Sequence, residues 1–291
     1  MDRFWLKSYP PEVPHEINPE QYRSLGALFD ESFTKFADKP FAVCMDRWMS
    51  YAQLDQYSRA LGCYLQSLGL APGARVAIML PNVPQFPVTM AAVLRAGYTC
   101  VNVNPLYTER ELEHQLKDSG ATAIVILENF AHTLVEVIER TAVKHVVMAA
   151  MGDLLGGVYG QWITFAVRHL AKMVPAYRLP LSNGRQAIQF KQALAQGSGK
   201  QLQAIDANLD SIAFLQYTGG TTGLSKGAVL THRNIVAAIL QSEAWFTPAL
   251  KRVGDLSKVN GIAALPLYHI FALTLCLLAI HGGSHLTLFR N

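Results

Sequence analysis

Val76-Ala-Ile-Met-Leu80 is an unbroken apolar run, Pro87-Val-Thr-Met-Ala-Ala-Val-Leu-Arg-Ala96 has helical character and stops at Gly97, and Cys100-Val-Asn-Val103 is a second short run. A short run that is apolar at nearly every position reads as a strand buried on both faces. A helix between two such strands is the crossover that parallel pairing needs. The same alternation extends outward on both sides. Upstream, Ser50-x-x-Gln53 has the spacing of a capping box, and Leu54, Leu61, Leu65 and Leu68 recur at near-helical intervals until Gly69. Downstream, Thr108-x-x-Glu111 opens a helix that closes near Gly120, and Ala123–Leu127 and His145–Met148 are further strands. Repeated strand–helix units predict an α/β fold with parallel sheets flanked by helices on both faces.

At 291 residues the chain is long enough for about two domains. Hydrophobic residues are 51% and charged residues 16%, with mean hydropathy +0.17, which excludes both a disordered and a multi-spanning membrane protein. Residues 1–145 carry 13 Lys/Arg against 16 Asp/Glu, whereas residues 146–291 carry 12 against 5. A basic second half suits an anionic ligand such as a nucleotide, or an anionic membrane surface. Cys44, Cys63, Cys100 and Cys276 are widely spaced and read as reduced core thiols. The first residues lack the apolar core of a signal peptide, so a cytoplasmic location is expected. Ile262–Ile280 has no formally charged side chain over a length that could span a bilayer. Pro266 and His269 fall in its middle, and a buried strand, loop and helix is expected instead.

Residues 150–204 interrupt the alternation with glycines and turn residues. They carry an apolar stretch, Trp162–Val174, with Arg168 and Lys172 four apart and hence expected on one helical face. This is either a surface helix packed on the core or a membrane-surface helix with its cations at the headgroups. The expected division is a first subdomain, 1–204, with this irregular basic insert, and the start of a second, 205–291.

The second subdomain holds the motif with the clearest chemistry, Tyr217-Thr-Gly-Gly-Thr-Thr-Gly-Leu-Ser-Lys226-Gly227, between the apolar strands Ile212–Leu215 and Ala228–Leu230. Glycines let backbone N–H groups approach phosphate oxygens, Thr218, Thr221 and Thr222 supply hydroxyl donors, and Lys226 supplies a compact cation. The spacing of the P-loop fails, because positions 224 and 225 are Leu and Ser. A glycine-rich hairpin without a ligand is the bland alternative. Thr231 reads as the N-cap of the following helix, which makes His232 structural, as His114 and His132 are expected to be. No His/Cys/Asp/Glu cluster has metal-ligand spacing.

This loop resembles the signature of the acyl-adenylate-forming superfamily, and the chain as a whole is similar to the bacterial long-chain-fatty-acid–CoA ligases within it. The likeness runs through Trp5-Leu6, Tyr9-Pro10, Val13-Pro14, Glu16-Ile17, Asn102-Val-Asn-Pro-Leu-Tyr-Thr108, Arg110-Glu-Leu-Glu-His-Gln-Leu116 and Asp118-Ser-Gly-Ala121. It continues through Asn129-Phe-Ala-His-Thr-Leu134, Met151-Gly-Asp153 and Leu265-Pro-Leu-Tyr-His-Ile-Phe-Ala-Leu-Thr274. Gly219 and Ser225 depart from the commoner Ser and Pro of the superfamily.

The resemblance implies a two-step reaction: a long-chain fatty acid and Mg-ATP give acyl-adenylate and pyrophosphate, and coenzyme A then displaces AMP. Tyr217, Thr218, Gly219, Gly220, Thr221, Thr222, Gly223, Lys226 and Gly227 would form the phosphate cradle. Lys226 and His269 are the catalytic candidates, His269 beside the carboxylate and Phe271 at the acyl tunnel. Mg²⁺ would arrive with ATP. The resemblance also implies that the magnesium, ribose and adenylation-lysine contacts lie in family positions beyond those matched by this chain, so these 291 residues are expected to be inactive alone. The partners expected are the fatty acid, ATP, coenzyme A and a peripheral surface on the inner face of the cytoplasmic membrane, with no nucleic acid. The alternatives are another adenylate-forming ligase of the aryl-CoA type, or a non-catalytic nucleotide- or membrane-binding protein.

Overall fold

The computed structural model describes residues 3–219, 225–252 and 259–289. The first half runs α1 (Leu25–Lys35), β1 (Pro40–Cys44), β2 (Arg47–Ser50), α2 (Tyr51–Ser67), β3 (Arg75–Met79), α3 (Gln85–Arg95), β4 (Thr99–Asn102), α4 (Glu109–Ser119), β5 (Ala123–Leu127), α5 (Ala131–Val137) and β6 (His145–Ala149). The second runs α6 (Gly157–Phe165), β7 (Gln186–Gln189), α7 (Phe190–Gly197), β8 (Ile212–Thr218), β9 (Lys226–Thr231), α8 (His232–Lys251), β10 (Asn260–Ala263), α9 (Ile270–Gly282) and β11 (His285–Leu288).

Local sequence sets most of these boundaries. Ser50, Thr108 and Thr231 each accept from the backbone N–H three residues on, and the side chain at that third position answers to the cap's own N–H. These reciprocal caps satisfy two orphan donors at each helix start. Gly120 ends α4 in the left-handed region, at φ 62°, where a side chain would be strained. The helix expected from Pro87 begins two residues earlier, because proline is tolerated in a first turn.

Seven strands form one sheet in the order β7-β6-β5-β3-β4-β8-β9, and four form another in the order β10-β11-β1-β2. Within the larger sheet all neighbours are parallel except β8 and β9, which form an antiparallel hairpin. Alternate residues of β3 divide between two cores: Val76 and Ile78 join the one that includes α2 and α3, while Ala77 and Met79 join the one that includes α4 and α5. Helices therefore cover both faces, as the uniformly apolar strands require. Strands from both sides of residue 204 enter each sheet, so the expected division at 204 is not a division between sheets.

The insert departs most from expectation. It contains β7, which pairs with β6 at the sheet edge, and α7, which packs on α2 so closely that a Cβ on Gly197 would lie 1.8 Å from the Ala60 carbonyl oxygen. The Trp162–Val174 stretch is not one α-helix: after Phe165 it widens to a π-helical segment, Ala166–Leu170, and Lys172 is left-handed at φ 51°. Arg168 and Lys172 therefore do not share a helical face. Ile262–Ile280 divides into the end of β10, a loop and most of α9. Among the described residues no helix is long and apolar enough to cross a membrane. All four cysteines are buried thiols.

Candidate functional site

β3, β4 and β8 are parallel neighbours, so their carboxyl ends lie together along one edge of the sheet. That edge is where open α/β sheets bind ligands. The expected phosphate motif emerges there, from the end of β8, and returns as β9, with Thr218 opposite Lys226 and Tyr217 opposite Gly227. Gly220, Thr221, Thr222 and Gly223 lie outside the described residues. Thr218, Gly219 and Lys226 are exposed at the mouth of the hairpin. Gly227 has a steric reason of its own: a Cβ there would meet the Tyr217 ring at 2.9 Å.

Helix α4 holds both legs of this hairpin. The Tyr217 hydroxyl donates to Asp118 Oδ2 at 2.5 Å, and burial followed by this carboxylate pushes the phenol's pKa up. On the other leg, His114 Nε2 lies 3.0 Å from the Ser225 carbonyl oxygen and so donates to it. His114 and Asp118 are four residues apart and share one helical face. His114 thus has a structural role, as expected, but against the hairpin itself.

A chain of buried amides then connects the hairpin to the loop before α9. Gln115 Nε2 donates to the Asn102 carbonyl at 2.7 Å, Asn102 Nδ2 to Gln216 Oε1 at 3.0 Å, and Gln216 Nε2 to the Tyr268 carbonyl at 2.9 Å. Buried polar groups in such a chain fix one arrangement of the elements they join. Asn82, also buried, adds three bonds to the same loop: it donates to the carbonyls of Ala263 and Leu265 and accepts from Leu267 N–H. The loop that carries His269 is thereby fixed beside the root of the hairpin.

His269 is exposed and caps α9, its Nδ1 accepting from Phe271 N–H at 3.4 Å, which leaves Nε2 as the free ring nitrogen. Leu265 and Phe271 are exposed on either side of it. Sequence reading gave Lys226 and His269 but missed Asn82, Asn102, His114, Gln115, Asp118 and Gln216 as supports. Asn102 and Gln216 did carry a signal: each is an amide that directly follows an apolar run in its strand. His232 is buried and accepts from Leu25 N–H at 3.0 Å, and burial pushes its pKa down to about 4. It is a neutral structural histidine. Among the described residues no group of three or more His, Cys, Asp or Glu could hold a metal ion.

The family model described as AMP-binding enzyme matches residues 29–291. A long-chain-fatty-acid–CoA ligase of Salmonella typhimurium is 49% identical over 293 aligned residues, covering all of this chain and 51% of that protein. One of Bacillus subtilis is 32% identical over 272 residues, covering 93% of this chain and 46% of that protein. The chain spans about half the length of the curated relatives it matches. The crystal structure of a long-chain-fatty-acid-CoA ligase from Archaeoglobus fulgidus superposes with a TM-score of 0.73 at 23% identity, over 97% of this chain and 50% of that one. At that identity the likeness is one of fold.

Proposed function

Because the chain belongs to the AMP-binding enzyme family, we propose that it serves the ATP-dependent activation of a long-chain fatty acid to its acyl-adenylate and then to its coenzyme A thioester. The observation that supports this most is the Tyr217–Gly227 hairpin, open at the carboxyl edge of the sheet with Lys226 at its mouth. In the first step a carboxylate oxygen bonds to the α-phosphorus and pyrophosphate leaves. Lys226 and the threonine hydroxyls of the motif would offset the charge that grows on that leaving group. In the second step the thiol sulfur of coenzyme A, losing its proton, bonds to the acyl carbon and AMP leaves. In this reading His269, whose Nδ1 is taken by the cap of α9, orients the acyl carboxylate through Nε2.

Mg²⁺ would arrive with ATP, where it offsets part of the phosphate charge. The same function implies a cytoplasmic protein in peripheral contact with the inner face of the cytoplasmic membrane, where a long-chain fatty acid partitions. Fatty-acid-dependent exchange of labelled pyrophosphate into ATP tests the proposal, on this chain and on the chain extended to the full length of its relatives. Exchange by the extended protein that requires a long-chain acid supports it, and the 291 residues alone are expected to give none. An extended protein that folds and binds ATP yet shows no exchange with any fatty acid overturns it.

A further inference from the structure

Helix α6 is fixed to the body along one side and bare along the other. Its inner side and the π-helical segment that continues it are pinned at four places. A Cβ on Gly160 would lie 2.2 Å from the Gly152 carbonyl oxygen, so the two backbones touch. Tyr159 donates to the Met45 carbonyl at 3.2 Å, Thr164 Oγ1 accepts from Gly152 N–H at 3.2 Å, and Val167 is buried. Just beyond, Arg168 makes a forked pair with the buried Glu128, with Nε to both oxygens at 3.0 Å and one further bond of 2.6 Å. A two-pronged charge-assisted pair of this kind sets orientation as well as attraction. Arg168 is therefore an anchor that faces the protein.

The opposite side carries Val158, Trp162, Phe165 and His169, spaced 4, 3 and 4 residues apart and hence on one face. The Trp162 and Phe165 rings stack at 5.8 Å, and Phe165 meets His169 at 4.9 Å. Val158 is 82% exposed, Trp162 54%, Phe165 48% and Leu170 62%. A helix packed on a core ordinarily turns polar residues outward. An outward aromatic face instead marks a contact surface.

Charge identifies the occupant. From Leu154 to Ile205 there is no Asp or Glu, while Arg168, Lys172, Arg178, Arg185, Lys191 and Lys200 fall in the same stretch. Lys172 and Arg178 are exposed and make no ion pair among the described residues. A second copy of the chain fits poorly. The exposed fractions of Val158, Trp162, Phe165 and Leu170 amount to roughly 400–500 Å² of accessible surface, short of the ~800 Å² per partner of a stable interface. A Trp- and Phe-bearing face beside unpaired cations is what an anionic bilayer interface takes up.

We propose that Val158, Trp162 and Phe165 insert shallowly into an anionic lipid surface, with Lys172 and Arg178 at the headgroups and Arg168–Glu128 holding the helix at its working angle. This deepens the peripheral contact named above and rests on it. The test is co-sedimentation with vesicles of phosphatidylcholine alone and of phosphatidylcholine with phosphatidylglycerol, with thermal unfolding as the control for folding. The wild-type chain is expected to bind the anionic vesicles more tightly. Trp162→Ser with Phe165→Ser should weaken that binding about tenfold or more without moving the unfolding midpoint. Lys172→Glu should weaken it about tenfold on anionic vesicles and leave neutral ones unchanged. Equal binding by the double variant overturns the assignment of this face and leaves the peripheral contact standing. Equal wild-type binding to neutral and anionic vesicles overturns the charge argument. No binding to either overturns both, whereas the ligase function is judged separately by exchange with a short, water-soluble fatty acid. Loss of a concentration-dependent dimer in the double variant would assign the face to a second copy and overturn the proposal.

Discussion

Deleting a single hydroxyl shows how firmly the Tyr217–Gly227 hairpin is held. Tyr217→Phe keeps the ring over Gly227 and removes only the 2.5 Å bond to Asp118. A hydrogen bond to a charged group contributes about 1.5–3 kcal/mol. Asp118 is exposed, and water replaces the lost donor, so about 1 kcal/mol is expected. His114→Ala removes the other tie, a half-buried bond of 3.0 Å to a neutral carbonyl, for about 1 kcal/mol again. In a chain of 291 residues each should lower the thermal midpoint by about 2 °C. If the hairpin binds polyphosphate, freeing either leg also makes the ligand bear the cost of ordering it, and ATP affinity should fall about three- to tenfold. His114→Gln, whose amide can still donate, should recover most of both losses. Circular dichroism melts and calorimetric titration with ATP give the two readouts. Unchanged ATP affinity beside a lowered midpoint would show that the ties hold a structural hairpin only, and no change in either would refute the bracing of the hairpin by α4.

The buried His232 and the half-buried Asp153 should give the stability curve opposing slopes in acid. His232 is held neutral to about pH 4, so below pH 6.5 the unfolded chain binds a proton the folded chain refuses, and stability falls with pH by about 3 kcal/mol. Asp153, raised to about 6 first of all by burial, does the reverse: the unfolded chain releases its proton first, and stability falls as pH rises from about 4 to 6. The wild type should therefore be nearly flat over pH 4–6 as far as this pair is concerned. Asp153→Asn should leave a curve that rises with pH and His232→Asn one that falls, in urea melts at successive pH values. Parallel curves for all three proteins would remove either group from the account.

What could be read in the sequence was what is local. The caps at Ser50, Thr108 and Thr231 bond three residues along the chain, and the strands β3 to β6 are apolar because both of their faces are covered. The hairpin was legible because its glycines, threonines and lysine are contiguous. Its supports were not, since Tyr217 meets a carboxylate 99 positions away and Ser225 an imidazole 111 positions away. The Arg168–Glu128 pair spans 40 residues and ties Arg168 to the body, away from the headgroup role that one of the two readings of this stretch gave it. β7 escaped notice because Gln186-Ala-Ile-Gln189 is an exposed edge with little apolar pattern. The likeness of the loop to a known signature named candidate atoms; only the fold showed which helix braces them.

The most direct measurement is the rate of pyrophosphate release by Lys226→Ala in the chain extended to the full length of its relatives, with saturating long-chain fatty acid and ATP. Lys226 is exposed at the hairpin mouth, so its loss should leave the thermal midpoint within about 1 °C. A cation that acts on the charge of departing pyrophosphate contributes about 1.5–3 kcal/mol, and release should slow roughly 10- to 150-fold. A variant that releases pyrophosphate at the wild-type rate would contradict the assignment of this hairpin as the nucleotide's phosphate cradle.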